Sequence, residues 1–226
     1  MTTGSSIDHL NSAIPALHGY YRSSASYRLR IALNLKGIAY RDVPHHLRLD
    51  EQRAPQYLAL NPQGMVPALE IGGRVLTQSL AICEYLEETI PESPLLPEAP
   101  TDRAKVRAMA QIIACDIHPI DNLRVLQYLR KTLGQDQAAV TAWYNHWIAE
   151  GFTALEAELR QTASRGPFCY GNAPGLIDLC LVPQVYNAGN FALDLTPFGR
   201  IREVNAACVA LPAFERAHPA NQPDAE

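Results

Sequence analysis

Short apolar runs alternate with segments of helical periodicity in the N-terminal part of the chain. The runs HGYY (18–21), IAYRDVPHHL (38–47) and ALEIGGRVLT (68–77) are predicted strands, and a pair of glycines turns the last of them into a hairpin. Helical spacing follows the first strand as far as Gly37 and recurs in PQYLAL and SLAICEYLEET. The resulting order, β-α-β-α-β-β-α, suits a small mixed sheet with helices on both faces.

A proline-rich stretch, PESPLLPEAP, separates this part from a remainder with only helical periodicity. Its prolines recur at every third position, which excludes a helix and favours an extended linker. Beyond it the strand patterns end and apolar residues recur at helical spacing. The sequence therefore predicts a flexible tail at 1–17, a mixed domain at 18–97 and an all-helical domain at 98–226.

Composition and charge narrow the possible partners. The chain has 226 residues, of which 47% are apolar and 19% charged, and its net charge of −4 gives no electrostatic footprint for nucleic acid. No apolar run approaches the roughly 20 residues that span a bilayer, and residues 1–17 have neither the basic start nor the apolar block of a signal peptide. We expect a cytoplasmic protein that binds neither a membrane nor nucleic acid.

The cysteines agree with that compartment. There are five, widely spaced and without a C-x-x-C pair, which is typical of reduced thiols rather than of a disulfide framework. We expect all five to be small core side chains.

Two serines and three arginines surround the start of the first predicted helix. Ser23 and Ser24 lie where the helix exposes backbone N–H groups without partners. An N-cap, worth on the order of 1 kcal/mol, would explain either serine alone. However, Arg22, Arg28 and Arg30 place positive charge where the helix dipole disfavours it. Hydroxyls, free amides and arginines together favour an anion such as a thiolate or a carboxylate.

Two further positions favour a peptide-like ligand. Pro67 would begin a strand, and it would leave the backbone N–H and C=O of Val66 free to pair with an extended peptide. Gln78 and Ser79 open another helix, where an amide and a hydroxyl at the helix N-terminus suit a carboxylate, although Ser79 alone is equally well explained as a cap. A peptide with carboxylates and a nucleophilic sulfur would use all three places.

The motifs RSSASYRLRIALNLKG, ALNPQGMVPALE, QSLAICEYLEE, LLPE, IHPIDNLRVL, LCLVPQV and DLTPF resemble the zeta class of glutathione transferases. The resemblance runs from about His18 to Pro223. It implies the glutathione transferase fold, with an α/β thioredoxin-like N-terminal domain and an all-α C-terminal domain, in a homodimer that uses glutathione. It also implies cis–trans isomerisation of a maleyl diketo acid, either maleylpyruvate or maleylacetoacetate, to the fumaryl form.

The resemblance assigns roles to individual residues. Ser23 would activate the glutathione thiol. Arg22 and Arg124 are our candidates for binding the carboxylate or enolate of the substrate, because an arginine can hold a carboxylate with two hydrogen bonds. The full set of implied glutathione-binding residues is Ser23, Ser24, His46, Val66, Pro67, Gln78, Ser79, His118, Asn122 and Arg124. An ordinary ion pair remains an alternative for Arg124, and a buried helix histidine remains one for His118. No metal is implied, and the two adjacent histidines at 45–46 are poor evidence for a metal site without further ligands.

Three positions depart from the class pattern. Ala25 stands where the zeta signature has cysteine, which excludes a redox or covalent role there. Asn190, in NAGNF, stands where these isomerases usually carry arginine, so we expect a weaker preference for a diacid unless Arg22 or Arg124 compensates. Gly175 replaces the serine or threonine of a capping box, but glycine is an acceptable N-cap and the helix should still form.

Three functions remain open from the sequence. The first is the isomerase. The second is a transferase or dehalogenase that applies the same thiolate to another electrophile, which the substitution at Asn190 would allow. The third is a glutathione-binding protein without turnover.

Overall fold

The computed structural model describes residues 14–162 and 166–226. Most of the flexible tail expected at 1–17 therefore lies outside the described residues. Ala16 and Leu17, which the sequence placed in that tail, instead belong to the first strand and are buried. All four residues of β1 are buried, and Tyr20 and Tyr21, which the sequence placed in the strand, follow its end and are buried as well.

Four strands form one mixed sheet in the order β2-β1-β3-β4. They are β1 (Ala16–Gly19), β2 (Arg41–Pro44), β3 (Ala68–Ile71) and β4 (Arg74–Thr77). β1 pairs in parallel with β2 and antiparallel with β3, so the two inner strands contact neighbours on both sides. The predicted hairpin between β3 and β4 is confirmed, and Gly72 and Gly73 turn it with φ of 56° and 73°.

Three helices accompany the sheet where the sequence predicted them. They are α1 (Ser24–Leu35), α2 (Pro55–Leu60) and α3 (Ser79–Thr89). α1 packs against α3 and buries an almost continuous run from Ser26 to Leu33, which includes the charged Arg28 and Arg30. Gly37, at φ 68°, follows the end of α1 as predicted.

The second part of the described chain is helical throughout, as predicted. After a proline-rich connection come α4 (Pro100–Gln111), a π-helical segment (Ile112–Ile117), α5 (Leu123–Lys131), α6 (Gln137–Gln161), α7 (Leu176–Asn190) and α8 (Gly199–Val209). α7 forms as expected with Gly175 as its N-cap. The carboxylate of Asp178 accepts the backbone N–H groups of Gly175 at 2.8 Å and Cys169 at 2.9 Å, which supplies the carboxylate half of a capping box although Gly175 has no side chain to accept the N–H of Asp178.

Contacts divide the described residues into two compact units. One is Leu96–Ala210, and the other joins the residues up to Leu95 with Leu211–Glu226. The sequence had placed the latter segment, which contains α9 (Pro212–Ala217), in the domain at 98–226. Its helix α9 packs against α1, and helical periodicity identifies a helix without showing what it packs against.

The structure also tests two expectations about the cysteines and about membrane-spanning helices. Four of the five cysteines are buried as predicted, but the prediction is wrong for Cys115, which is exposed in the π-helical segment. No helix within the described ranges is both long enough and apolar enough to cross a membrane.

Candidate functional site

Ser23 is the N-cap of α1. Its backbone is extended, with φ −70° and ψ 118°, and its Oγ accepts the N–H of Ser26 at 3.2 Å. That bond uses a lone pair of the hydroxyl oxygen, and no residue in the described ranges accepts the hydroxyl hydrogen. The side chain is half-buried. Ser23 can therefore cap the helix and donate a hydrogen bond to a ligand at the same time.

The residues next to Ser23 contribute a positive charge and a hydrogen bond that holds the turn before α1. Arg22 is half-buried and forms no ion pair with the residues that the structure describes. Ser24 is buried as the first residue of α1. Ser26 is buried, and its Oγ accepts the N–H of Tyr20 at 3.4 Å. The start of α1 thus combines a cation that has no ion-pair partner in the described ranges with a fixed turn.

The start of α3 is connected to α1 by a buried arginine. Arg28 is only 2% exposed, and its Nη1 donates to the Oγ of Ser79 at 2.7 Å. Because a guanidinium only donates, Ser79 must accept this bond and its hydroxyl hydrogen points elsewhere. The sequence marked Arg28 as a charge that opposes the helix dipole, but nothing in the sequence paired it with Ser79.

Gln78 precedes Ser79 in a strained conformation. Its φ of 67° lies in the left-handed region that non-glycine residues rarely adopt, and such strain concentrates at binding and catalytic sites. Its Nε2 donates to Oε1 of Gln63 at 2.7 Å. A helix N-terminus, an oriented hydroxyl, an amide and a buried cation meet here, and this combination fits a carboxylate.

Val66 lies between α2 and β3, and its peptide bond to Pro67 is cis. Within the described residues, neither its N–H nor its C=O makes a hydrogen bond. The carbonyl of the preceding Met65 is held by the hydroxyl of Tyr57 at 2.6 Å and by Nδ2 of Asn61 at 2.7 Å. Sequence reasoning missed these two donors. They fix the peptide before Val66 and leave its own backbone groups available to a ligand.

His46 already binds a carboxylate of this chain. Its Nε2 lies 2.7 Å from Oε1 of Glu226, and its backbone N–H donates to Oε2 of Glu51 at 2.6 Å. The imidazole is 21% exposed and the Glu226 side chain is 56% exposed. The ring is therefore positioned to hold an anionic group at the surface.

The remaining candidates lie in the helical unit. His118 ends the π-helical segment and is half-buried. Asn122 is the N-cap of α5, since its Oδ1 accepts the N–H of Arg124 at 3.1 Å. The Arg124 side chain is exposed and forms no ion pair with described residues. The three residues thus lie close together in the chain, just before and at the start of α5.

Asn190 is the exposed last residue of α7. The next residue, Phe191, is held by α6, because Tyr144 stacks on its ring at 3.7 Å between centroids and Asn145 donates to its carbonyl at 3.1 Å. The end of α7 is therefore well fixed, and it presents an amide where a cation was expected.

Asp121 is a buried carboxyl that sequence reasoning did not single out. Neither of its oxygens has a hydrogen-bond partner within the described residues. Burial raises its pKa to about 8. It directly precedes Asn122, the N-cap of α5. No three histidine, cysteine or acidic side chains of the described chain come close enough to hold a metal ion.

Comparison with known proteins places this geometry in a family. Residues 22–89 match the family model of the glutathione S-transferase N-terminal domain. A maleylpyruvate isomerase from Ralstonia sp. is 52% identical over 208 residues, which cover 92% of this chain and 98% of the relative.

Solved structures agree in fold. The holo structure of a maleyl pyruvate isomerase, described as a bacterial glutathione S-transferase of the zeta class, has a TM-score of 0.92 at 52% identity and covers 93% of this chain and all of its own. A maleylacetoacetate isomerase from Anaeromyxobacter dehalogenans, with glutathione bound in its active site, has a TM-score of 0.84 at 43% identity, covering 94% and 98%. This chain therefore belongs to the glutathione transferase family and, within it, to the zeta class.

Proposed function

We propose that this protein is a glutathione-dependent cis–trans isomerase of a maleyl diketo acid, either maleylpyruvate or maleylacetoacetate. The observation that carries the proposal is the hydroxyl of Ser23, which lies at the N-terminus of α1 with its hydrogen available to a ligand. The names of the relatives supply the substrate class.

The residues of the N-terminal unit fit the parts of glutathione. The free backbone pair of Val66 suits the cysteinyl unit, and the start of α3 with Gln78, Ser79 and the buried Arg28 suits the γ-glutamyl carboxylate. His46 suits the glycine carboxylate. His118, Asn122 and Arg124 stay proposed glutathione ligands on the strength of the resemblance.

A hydrogen bond from the Ser23 hydroxyl is strong enough to lower the pKa of the glutathione thiol as the proposal requires. A free thiol ionises near pH 8.5, and lowering this pKa by about 2 units requires roughly 2.7 kcal/mol of preferential stabilisation of the thiolate. A hydrogen bond to a charged group contributes about 1.5–3 kcal/mol, and a helix N-terminus adds about 0.3–1 kcal/mol. The serine only donates, so it needs no general base.

Bound glutathione supplies a thiolate that adds reversibly to the cis double bond, so that the bond can rotate before the sulfur leaves. The protein's part is to hold the charge that moves to the diketo end. Arg22 and Arg124, both without an ion-pair partner in the described chain, would hold the substrate carboxylate or the developing enolate. Ser23 would hold the sulfur in its ionised form before addition and after departure.

A direct assay tests the proposal. Purified protein with glutathione and maleylpyruvate, and separately with maleylacetoacetate, should remove the maleyl absorbance and release the fumaryl isomer. Turnover of a halogenated acid or an aryl halide, without isomerisation of either diketo acid, would instead indicate a transferase or dehalogenase. That second candidate is favoured by one observation, the exposed amide of Asn190 at the end of α7.

Asn190 offers a test of substrate choice. Replacement by arginine should raise kcat/KM for the diacid about 5- to 30-fold, because a charge-assisted bond to a carboxylate contributes about 1–2 kcal/mol. Asn190→Gln, which adds length without charge, is the matched control and should leave the rate near that of the wild type. Equal rates for the two variants would show that this position does not read the second carboxylate.

Glu226 should compete with the glycine carboxylate for His46. We expect Glu226→Gln to lower the KM for glutathione up to about fivefold at unchanged kcat, which is the scale of an exposed ion pair. Steady-state kinetics over a range of glutathione concentrations measure this effect. Glu215→Gln, an exposed carboxylate of α9, controls for the change in net charge. An unchanged KM would remove His46 from the glycine end.

Assembly and location are proposals that rest on the resemblance. We propose a homodimer in the cytoplasm. Light scattering of the purified protein should give twice the mass of one chain.

A further inference from the structure

A tight turn carries Arg22 and Ser23 from β1 into α1. It is closed by the N–H of Ser23, which donates to the carbonyl of Tyr20 at 3.0 Å. Every backbone polar group of Tyr20 and Tyr21 has a partner, and most of those partners come from outside the turn. The position of the Ser23 hydroxyl therefore depends on side chains that are distant in sequence.

Arg30 connects this turn to α9. Arg30 as a whole is 2% exposed. Nη2 donates to the carbonyl of Tyr21 at 2.9 Å, Nη1 to that of Tyr20 at 3.5 Å, and Nε to that of Ala217 at 3.0 Å. One buried side chain thus spans two successive carbonyls of the turn and the end of α9.

Asp224 completes the connection from the other side. Its Oδ2 accepts the N–H of Tyr21 at 2.9 Å, across 203 residues of sequence. Burial lowers the pKa of Arg30, whereas Asp42 and Asp224 act in the opposite direction. Asp224 therefore provides both the acceptor for the turn and part of the negative charge that a buried guanidinium needs.

The segment that bears Asp224 is itself well anchored. Gln222 is buried, and its Nε2 donates to the carbonyls of Arg216 and His218, both at 2.8 Å. Asn34, one helical turn beyond Arg30, donates to the carbonyl of Ala213 at 2.9 Å. Asp224 is thus presented from a fixed support, which a residue that positions another must have.

We propose that Asp224 is a positioning residue for the reaction and that Leu211–Glu226 is a working part of the glutathione site. The proposal rests on the role proposed for Ser23. Asp224 accepts the N–H of Tyr21, while Arg30 donates to the carbonyls of Tyr20 and Tyr21. Asp224 thereby fixes the peptide group between the two tyrosines, which lies shortly before Ser23 in the chain. This sets the direction of the Ser23 hydroxyl, and the strength of a hydrogen bond depends steeply on direction and distance.

Three variants of the full-length protein test this. Asp224→Ala removes the acceptor, Asp224→Asn keeps a carbonyl oxygen that can accept from Tyr21, and Glu215→Ala removes an exposed carboxylate from the same segment. Hydrogen exchange without glutathione, followed in peptides that cover residues 20–26, reports on the turn. Ultraviolet titration with saturating glutathione reports on the bound thiol, and thermal unfolding reports on overall stability.

In Asp224→Ala we expect faster exchange confined to the turn, a rise of about 0.5–1 unit in the pKa of the bound thiol, and a loss of about three- to tenfold in kcat/KM. Asp224→Asn should restore most of each value, and Glu215→Ala should match the wild type. Lower thermal stability of Asp224→Ala with an unchanged thiol pKa would overturn the proposal, as would an Asp224→Asn variant that behaves like Asp224→Ala.

The same measurements distinguish a failure of the role proposed for Asp224 from a failure of the role proposed for Ser23. If wild-type protein does not lower the pKa of the bound thiol, the proposed role of Ser23 fails. The exchange measurement then still decides whether Asp224 holds the turn, since it is made without glutathione. Unchanged exchange in Asp224→Ala would overturn the inference on its own.

Discussion

Replacement of Ser23 by alanine should lower kcat/KM about 30- to 100-fold while the protein still folds. The loss corresponds to about 2–3 kcal/mol, which is the strength of one hydrogen bond from the Ser23 hydroxyl to an ionised sulfur. The same change removes the side chain that accepts the N–H of Ser26, and that should cost on the order of 1 kcal/mol of stability. Steady-state kinetics and thermal unfolding measure the two effects separately.

A second N-cap supplies the matched control. Asp136 caps α6 by accepting the N–H of Ala139 at 2.8 Å, so Asp136→Ala should lose comparable stability with little change in rate. If Ser23→Ala and Asp136→Ala lose the same stability and both keep wild-type kinetics, Ser23 is an N-cap and nothing more.

The largest expected effect on stability comes from Asp121. Its pKa in the folded protein is about 8, against an ordinary value of about 3.9 in an unfolded chain. Because the folded state prefers the neutral carboxyl, the stability that Asp121 contributes is complete below about pH 4 and is lost as the pH rises to about 8. Asparagine is neutral throughout. Asp121→Asn should therefore match the wild type near pH 4 and exceed its stability by roughly 5 kcal/mol near pH 8.

Urea unfolding at several pH values measures this difference. Asp116→Asn, at an exposed carboxylate only five residues earlier, should show no such growth with pH. A constant difference between Asp121→Asn and the wild type from pH 4 to pH 8 would mean that the carboxyl is ionised and satisfied in the folded protein.

The elements of the N-terminal unit could be predicted because their signals are local. The glycine pair of the hairpin, the serine before α1 and Gly37 after it each act within a few residues, and all are found as predicted. The helical character of the second unit followed equally from periodicity. The prediction that Cys115 is buried was wrong, because the sequence around a single cysteine does not show whether its side chain faces the core.

The connections between elements could not be predicted because they join residues far apart in sequence. Arg28 and Ser79 are 51 residues apart, and Tyr21 and Asp224 are 203 apart. A single sequence has no pattern that pairs them. The packing of Leu211–Glu226 with the N-terminal unit escaped prediction for the same reason. What these contacts fix is the orientation of the hydroxyl groups that the sequence did identify.

The proposed catalysis depends on one property, the ionisation of the glutathione thiol when it is bound beside Ser23. Ultraviolet absorption of the thiolate, titrated with pH in the complex and in buffer, measures it directly. We predict an apparent pKa about 2 units below that of the free thiol, and most of that shift should disappear in Ser23→Ala. A bound thiol that titrates as it does in buffer would contradict the account.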